Sequence, residues 1–320
     1  TRRPGMVGER LVEQRDHRGP VLRSGGGRID AKFVGDSHAL IVKDASIDVI
    51  SARQPTKGCY ESAVFQFCHL YIDRPSRDQN ELVSSRLGRI TEEVTNEIES
   101  LSDLAPLHNP AGAIGIRAAI EAFPSLPQFA VFDTAFHQTM PQRAFTGAIA
   151  KELYTDFGVR RYGFHGTSHY FVSREAAKML NKPVEESSFI SVHLGNGASV
   201  CAIKDGNSVD TSMGFTPLSG LMMGTRCGDL DPGIIEYLLK KGWSQEQVFN
   251  SLNKESGFLG VSGLTSDARG ILEAMEEGHE GAKLAFEVFT YRVAKYVASY
   301  LATLDSLDGI IFTGGIGENS

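Results

Sequence analysis

Ser188-Phe-Ile-Ser-Val-His-Leu194, Gly195-Asn-Gly197, Ala198-Ser-Val-Cys-Ala-Ile-Lys204, Asp205-Gly-Asn207 and Ser208-Val-Asp-Thr211 follow one another without a break, and their reading decides the fold. The first run is short, apolar and rich in β-branched residues, which predicts a buried strand. The run from Ala198 to Lys204 predicts a second strand, paired with Ser208–Thr211 across Asp205-Gly206-Asn207 as a hairpin. Outward from this centre the periodicity changes. Ile90, Val94, Ile98 and Leu101 lie at helical spacing, as do Ala113–Phe123 and the long run Gly281–Leu304. Ser173 is read as the cap of a helix ending near Leu180. Asp231-Pro232 predicts a helix start that Gly242 closes, and Ser244-x-x-Gln247 reads as a capping box. Phe129–Asp133 and Leu307–Phe312 predict further strands. Mixed strands and helices make the chain α/β.

The 320 residues exceed the usual single-domain size, so two domains with a cleft between them are expected. Hydrophobic residues make up 41% and charged residues 22%, and no apolar run approaches membrane-spanning length. The net charge of -7 excludes a broad basic footprint for nucleic acid. Cys59, Cys68, Cys201 and Cys227 form no C-x-x-C pair, which argues against a disulfide framework or zinc site and for a reducing, cytoplasmic compartment. The start at Thr1 without an apolar leader reads as an excerpt of a longer protein. Residues 1–89, with Gly25-Gly26-Gly27 and scattered arginines, show weak periodicity, and no function is read from them.

Several segments suit phosphate chemistry, each beside a plainer reading. His193-Leu194-Gly195-Asn196-Gly197 ends a buried strand where glycines let backbone amides approach a ligand; it is also an ordinary hairpin turn. Gly314-Gly315-Ile316-Gly317-Glu318-Asn319 is a second glycine turn after a strand, with the expected following helix beyond Ser320. Asp133 ends a strand, where α/β sheets place ligands, or caps the turn Thr134–Gln138. His165 and His169 lie in a small polar loop after Arg160-Arg161-Tyr162, able to donate to a phosphoryl oxygen or simply solvated. Arg226, in Gly224-Thr-Arg-Cys-Gly-Asp229, has space to grip phosphate, or pairs with Asp229 or Asp231. Asp267-Ala268-Arg269 contacts a nucleoside or caps a helix.

In order and spacing, Val131-Phe-Asp-Thr-Ala-Phe-His-Gln-Thr-Met-Pro141, Tyr162–His169 and Asp210-Thr-Ser-Met-Gly-Phe-Thr-Pro217 resemble the acetate and propionate kinase family from about Ile90 to Ser320. The resemblance implies a two-domain actin-like fold of the sugar-kinase type, divided here into an atypical segment 1–89, the remainder of an N-terminal domain at 90–136 and a nucleotide-binding domain at 137–320. It implies phosphoryl transfer between ATP and acetate with Mg2+, propionate being the alternative substrate, in a homodimer. It further implies that Asp133, His165 and Arg226 are catalytic and that His193–Gly197, Asp267–Arg269 and Gly315–Asn319 bind ATP. His108, Leu107, Phe164 and Pro217 match the substrate pocket. Two family segments, Asn-x-Gly-Ser-Ser-Ser-x-Lys and His-Arg-Val-Val-His-Gly, are not found in residues 1–89, and the family's magnesium-side glutamate falls beyond Ser320. The metal ligands are therefore unassigned. The abrupt start of agreement near Thr91 points to a frame-shifted or foreign upstream segment, and to a chain impaired as an enzyme. A nucleotide-binding fragment without catalysis is the competing reading. No G-x-G-x-x-G followed by an acid about 20 residues on supports a dehydrogenase.

Overall fold

A computed structural model describes residues 89–102 and 109–320 in full, together with the backbone of strands β1 (Leu22–Ser24), β2 (Gly27–Lys32), β3 (Ile41–Lys43), β4 (Val49–Ser51), β5 (Val64–Cys68) and β6 (Leu87–Arg89). Strands in this region depart from the weak periodicity read in residues 1–89. Antiparallel pairing builds them, β1 with β2, β2 with β3 and β4 with β5.

Contacts divide the chain into two units, one containing Leu87–Val131 and the other Phe132–Ser320. In the first, α1 (Glu92–Ser100) starts at Thr91, whose hydroxyl accepts from the Val94 N–H at 3.3 Å. Its buried Val94 and Ile98 belong to the expected apolar stripe, and Arg117 of α2 (Asn109–Ala122) ties back to Glu99 at 2.8 Å. β7 (Gln128–Phe132) pairs with β6 in the sheet order β4-β5-β7-β6.

In the second unit a 3-10 helix, Ala135–Thr139, and the short helices α3 (Gln142–Phe145) and α4 (Lys151–Thr155) lead to α5 (Gly166–Met179). Ser173 lies inside α5, not at its start: its hydroxyl donates back to the Tyr170 carbonyl at 2.9 Å, a bond a mid-helix serine can make. The helix begins earlier, in the motif Gly166-Thr-Ser-His169, so His169 is helical and not in a loop.

β8 (Ser188–Leu194), β9 (Ala198–Lys204), β10 (Asn207–Thr211) and β11 (Gly309–Thr313) form a sheet of order β10-β9-β8-β11. The expected hairpin forms with a turn one residue shorter: Lys204 pairs with Asn207, and Asp205 and Gly206 take φ of 51° and 73°, the left-handed pair of a tight two-residue turn. Phe189, Cys201 and Ile203 share a core with Phe136 and with Ala177 of α5. The alternate residues Ile190, Val192, Val200 and Ala202 are equally buried. Both faces are therefore covered, which explains why β8 reads as a continuous apolar run.

After this sheet come α6 (Gly233–Lys240), α7 (Gln245–Lys254), α8 (Gly257–Ser262), α9 (Ala268–Glu276) and α10 (Glu280–Leu301), which packs on β8 and β9. The capping box is made: Ser244 Oγ accepts from Gln247 N at 3.1 Å and Gln247 Oε1 from Ser244 N at 2.8 Å. α6 begins one residue later than expected, with Pro232 as its cap and Asp231 Oδ1 accepting from Gly233 N at 2.8 Å. The glycine run after β11 is itself helical, as α11 (Gly314–Asn319), in place of a turn whose helix lies further on. Among the described residues no helix is long and apolar enough to cross a membrane.

Candidate active site

Antiparallel β8 and β9 are joined by Gly195-Asn196-Gly197, closed by the Gly195 N–H donating to the Gly197 carbonyl at 3.0 Å. It is a hairpin turn, as its plainer reading held, and it also borders an open cleft. That cleft, about 610 Å³, is lined by Gly195, Asn196, Asp267, Ala268, Arg269, Gly315, Ile316 and Asn319 among others. Asp267 meanwhile caps α9, its carboxylate accepting from Arg269 N at 3.2 Å.

Asp133 follows β7 directly. Its Oδ2 accepts the His165 backbone N–H at 2.6 Å, and its carbonyl accepts the Gly166 N–H at 2.9 Å, which ties Asp133 to the start of α5. It is therefore not the cap of the turn that follows. His165 sits at φ 58° and ψ 22°, a left-handed conformation uncommon for a residue with a side chain. That backbone lets one residue give its N–H to Asp133 while its ring turns toward the hairpin. The ring lies 4.3 Å from that of His193, centroid to centroid.

Three distances gather the site at one atom position. A Cβ built on Gly197 stands 3.4 Å from His165 Nε2, 3.5 Å from His165 Cε1 and 3.6 Å from Arg226 Nη1. Arg226 is half-buried and pairs with no carboxylate among the described residues; its Nη1 donates weakly to the Pro217 carbonyl at 3.4 Å. Burial lowers its pKa from the usual value, the signature of a guanidinium held away from water without a counter-ion. Asp229, which the plainer reading offered as its partner, accepts instead from Gly220 N at 2.8 Å and from the Tyr296 hydroxyl.

Behind this front lies a wall of histidine and serine, of which sequence reasoning singled out His169 but not His137, Ser191, Ser199 or Ser208. His137 and His169 are fully buried. His169 bonds Ser191 Oγ at 2.9 Å through Nδ1 and Ser199 Oγ at 2.8 Å through Nε2, and Ser199 also meets His165 Nδ1 at 2.9 Å. His137 bonds Ser208 Oγ at 2.8 Å and the Phe164 carbonyl at 2.9 Å. Burial lowers the His137 pKa to about 4 and carries that of His169 well below its usual value, so both rings are neutral at pH 7. His193, bonded to Ser168 Oγ at 2.8 Å, is lowered by the same cause. Both His137 and His169 stand inside the motif segments quoted above, and only their burial distinguishes them from solvated histidines.

Thus the structure brings together Asp133, His165, His193, Gly197 and Arg226, and sets Gly195, Asn196, Asp267–Arg269, Gly315, Ile316 and Asn319 around the cleft. Three residues expected at the nucleotide do not line the cleft: Leu194 is buried, Gly317 packs toward Leu194 and Phe312, and Glu318 accepts from Thr313 Oγ1 at 3.3 Å. Phe164 is buried, and Pro217 contributes its carbonyl to Arg226. Leu107 and His108 lie outside the described residues. For magnesium, no group of three His, Cys, Asp or Glu side chains gathers among the described residues. A metal carried by substrate phosphates needs only one or two carboxylates from the protein. Asp133, half-buried and held by the His165 N–H, fits that role and not that of a closed cage.

Residues 81–320 match the acetokinase family. The chain is 95% identical over 232 residues to acetate kinase 2 of Aliivibrio fischeri and 92% identical to that of Vibrio parahaemolyticus, in each case over 72% of this chain and 58% of the relative. It therefore spans a little over half the length of these curated relatives. Among solved structures, a propionate kinase from Francisella tularensis aligns with TM-score 0.71 at 50% identity, covering 73% of this chain and 61% of that one. Acetate kinase from Porphyromonas gingivalis aligns with TM-score 0.70 at 46% identity, covering 73% and 59%. The α/β architecture is thus that of the acetate and propionate kinases, with their actin-like fold, and the chain belongs to the acetokinase family.

Proposed function

We propose that this site, in the intact protein, transfers the terminal phosphoryl group between ATP and acetate, giving acetyl phosphate and ADP. The observation that carries the reading is the meeting of His165 and Arg226 at Gly197, beside the cleft lined by the glycine turns. Phosphoryl transfer asks for little covalent work from a protein and much positioning of charge. A carboxylate oxygen forms a bond to the γ-phosphorus as the bond to the ADP bridging oxygen breaks. Acetate is ionised at neutral pH, so no base is needed to activate it.

In this reading the cleft holds the nucleotide, with Gly195 and Gly315 admitting close backbone approach. Arg226 then bears on the oxygens of the group in transit, and its half-buried, unpaired charge acts more strongly there than in water. His165 donates a hydrogen bond to the same oxygens. Asp133 orients His165 through its backbone bond and presents a carboxylate to the phosphate-borne cation. Magnesium, when bound, neutralises phosphate charge. A cytoplasmic homodimer belongs to the same proposal. Propionate is the second reading, supported by the likeness to the Francisella enzyme; discrimination between the two acids amounts to about one methylene.

The test is a hydroxamate assay for acyl phosphate, run on this chain and on one completed to the length of its relatives, with acetate and with propionate. Formation of acetyl hydroxamate by the completed chain is expected. ADP binding without acyl phosphate from either would overturn the transferase reading in favour of a nucleotide-binding fragment.

A further inference from the structure

The histidine-serine wall behind His165 has a direction, and that direction decides which nitrogen of His165 carries its proton. Ser199 is fully buried and its single hydroxyl hydrogen faces two imidazole nitrogens, His165 Nδ1 at 2.9 Å and His169 Nε2 at 2.8 Å. It donates to one and accepts from the other. His169, in turn, has its Nδ1 on Ser191 Oγ at 2.9 Å. Two arrangements satisfy these three bonds.

In one, the Ser191 hydroxyl donates to His169 Nδ1, His169 Nε2–H donates to Ser199, and Ser199 donates to His165 Nδ1. In the other every bond is reversed, and the Ser191 hydroxyl must send its hydrogen elsewhere. Among the described residues the Ser191 side chain has His169 as its hydrogen-bond partner, and Ser191 is fully buried. The reversed chain therefore strands a buried hydroxyl donor. The forward chain leaves only an unused lone pair, which is cheaper.

We infer that Ser191, His169 and Ser199 form a one-way hydrogen-bond chain that leaves the His165 proton on Nε2, making His165 a donor toward the space shared with Gly197 and Arg226. Ser199 and His169 are then positioning residues. They ensure that a phosphoryl oxygen arriving at Gly197 meets an N–H and not a lone pair. Burial of His169 supports the chain by keeping that ring neutral, with one donor and one acceptor nitrogen. The part of the inference that concerns catalysis rests on the transferase reading above; the proton positions do not.

The experiment is a long-range 1H–15N spectrum of this full chain, labelled at the histidine rings and recorded about one unit above the ordinary histidine pKa. His137 serves as the internal standard, because its Nε2 faces the Phe164 carbonyl at 2.9 Å and must carry the hydrogen. His165 and His169 are expected to show the same pattern, Nε2 protonated and Nδ1 bare. A proton on Nδ1 of either ring overturns the inference. In a completed chain, Ser199→Ala should lower kcat about tenfold while KM for ATP and the His137 signal stay as they were. Ser199→Thr, which keeps the hydroxyl, should recover most of that loss. Unchanged kcat and an unchanged His165 spectrum in Ser199→Ala would remove the positioning role. If the alanine variant fails to fold, the native spectrum alone decides. The expected native spectrum together with no acyl phosphate formation would leave the chain standing and overturn the transferase reading instead.

Discussion

β8 and β11 lie side by side in parallel register, with His193 beside Thr313, and both run out into glycines at the same edge of the sheet. They then part. β8 turns back through Gly195-Asn196-Gly197 into β9, while β11 passes directly into α11. The glycines serve different ends. Gly314 has φ 81°, and a Cβ there would stand 2.6 Å from the Leu194 carbonyl oxygen, so the backbone itself requires glycine. Gly197 is outside the left-handed region, and its missing side chain leaves open the space beside His165 and Arg226. A strand followed by glycine looks the same in both cases; what differs is whether chain or chemistry needs the space.

The largest expected effect tests whether chemistry occupies the hairpin side. In a completed chain, Arg226→Ala should lower kcat by about two to three decades with KM for ATP little changed, as for loss of one preorganised charged donor. Steady-state kinetics with hydroxamate detection measures it. An unchanged kcat with a raised KM would make Arg226 a ground-state binder and remove the distinction drawn for the hairpin turn.

The hairpin side is also backed by the buried imidazoles, which gives it a pH dependence. In the unfolded chain a histidine takes up a proton below about pH 6.5. Folded, His137 resists protonation down to about 4, and burial holds His169 well below its usual value too. Between these values the unfolded state binds more protons, so stability present above about 6.5 is lost as pH falls toward 4. Asp210, whose carboxyl is raised by burial, works the other way in the carboxylate range and offsets part of the loss. Thermal melts at pH 7.5 and pH 5 should show a Tm lower by several degrees at pH 5. Equal values would mean that water reaches these rings.

Much of this architecture is legible in the sequence. Ser188–Leu194, Ala198–Lys204 and the Asp205-Gly206 turn follow from composition and turn chemistry, and Ser244 with Gln247 gives its helix start. The wall behind the site is not legible. Ser191 and Ser199 look like polar interruptions of apolar strands, and only the pairing of β8 with β9 and the packing of α5 turn them toward His169. Ser173 failed as a cap for a related reason. The helix starts at His165 in a left-handed conformation, stabilised by Asp133, a residue 32 positions away in sequence. Contacts at that separation leave no local signal.

Gly314→Ala should cost about 2 kcal/mol or more, combining a left-handed φ with close approach to the Leu194 backbone. Gly315→Ala next to it, with nothing within 4 Å, should be neutral within about 0.5 kcal/mol. Urea denaturation of the two variants measures the gap. Equal losses would show that the whole glycine run is structural, and the contrast between the two turns would lose one side.

Gly197→Ala carries the smallest expected effect on stability and the most specific one on function. Its methyl would sit 3.4 Å from His165 Nε2 and 3.6 Å from Arg226 Nη1, ordinary van der Waals distances, and the backbone there is not left-handed. The fold should therefore change by less than about 0.5 kcal/mol. A phosphoryl oxygen accepting from both side chains needs to lie about 3 Å from each, and the methyl takes that volume. Displacing the group by a fraction of an ångström spoils alignment, so acyl phosphate formation should fall about tenfold or more while the Tm holds. Paired thermal melts and hydroxamate assays on the completed chain separate the possible outcomes. A collapsed Tm would place Gly197 with Gly314 as a backbone glycine. An unchanged rate would mean that the phosphoryl group does not pass between His165 and Arg226, whatever else the cleft binds.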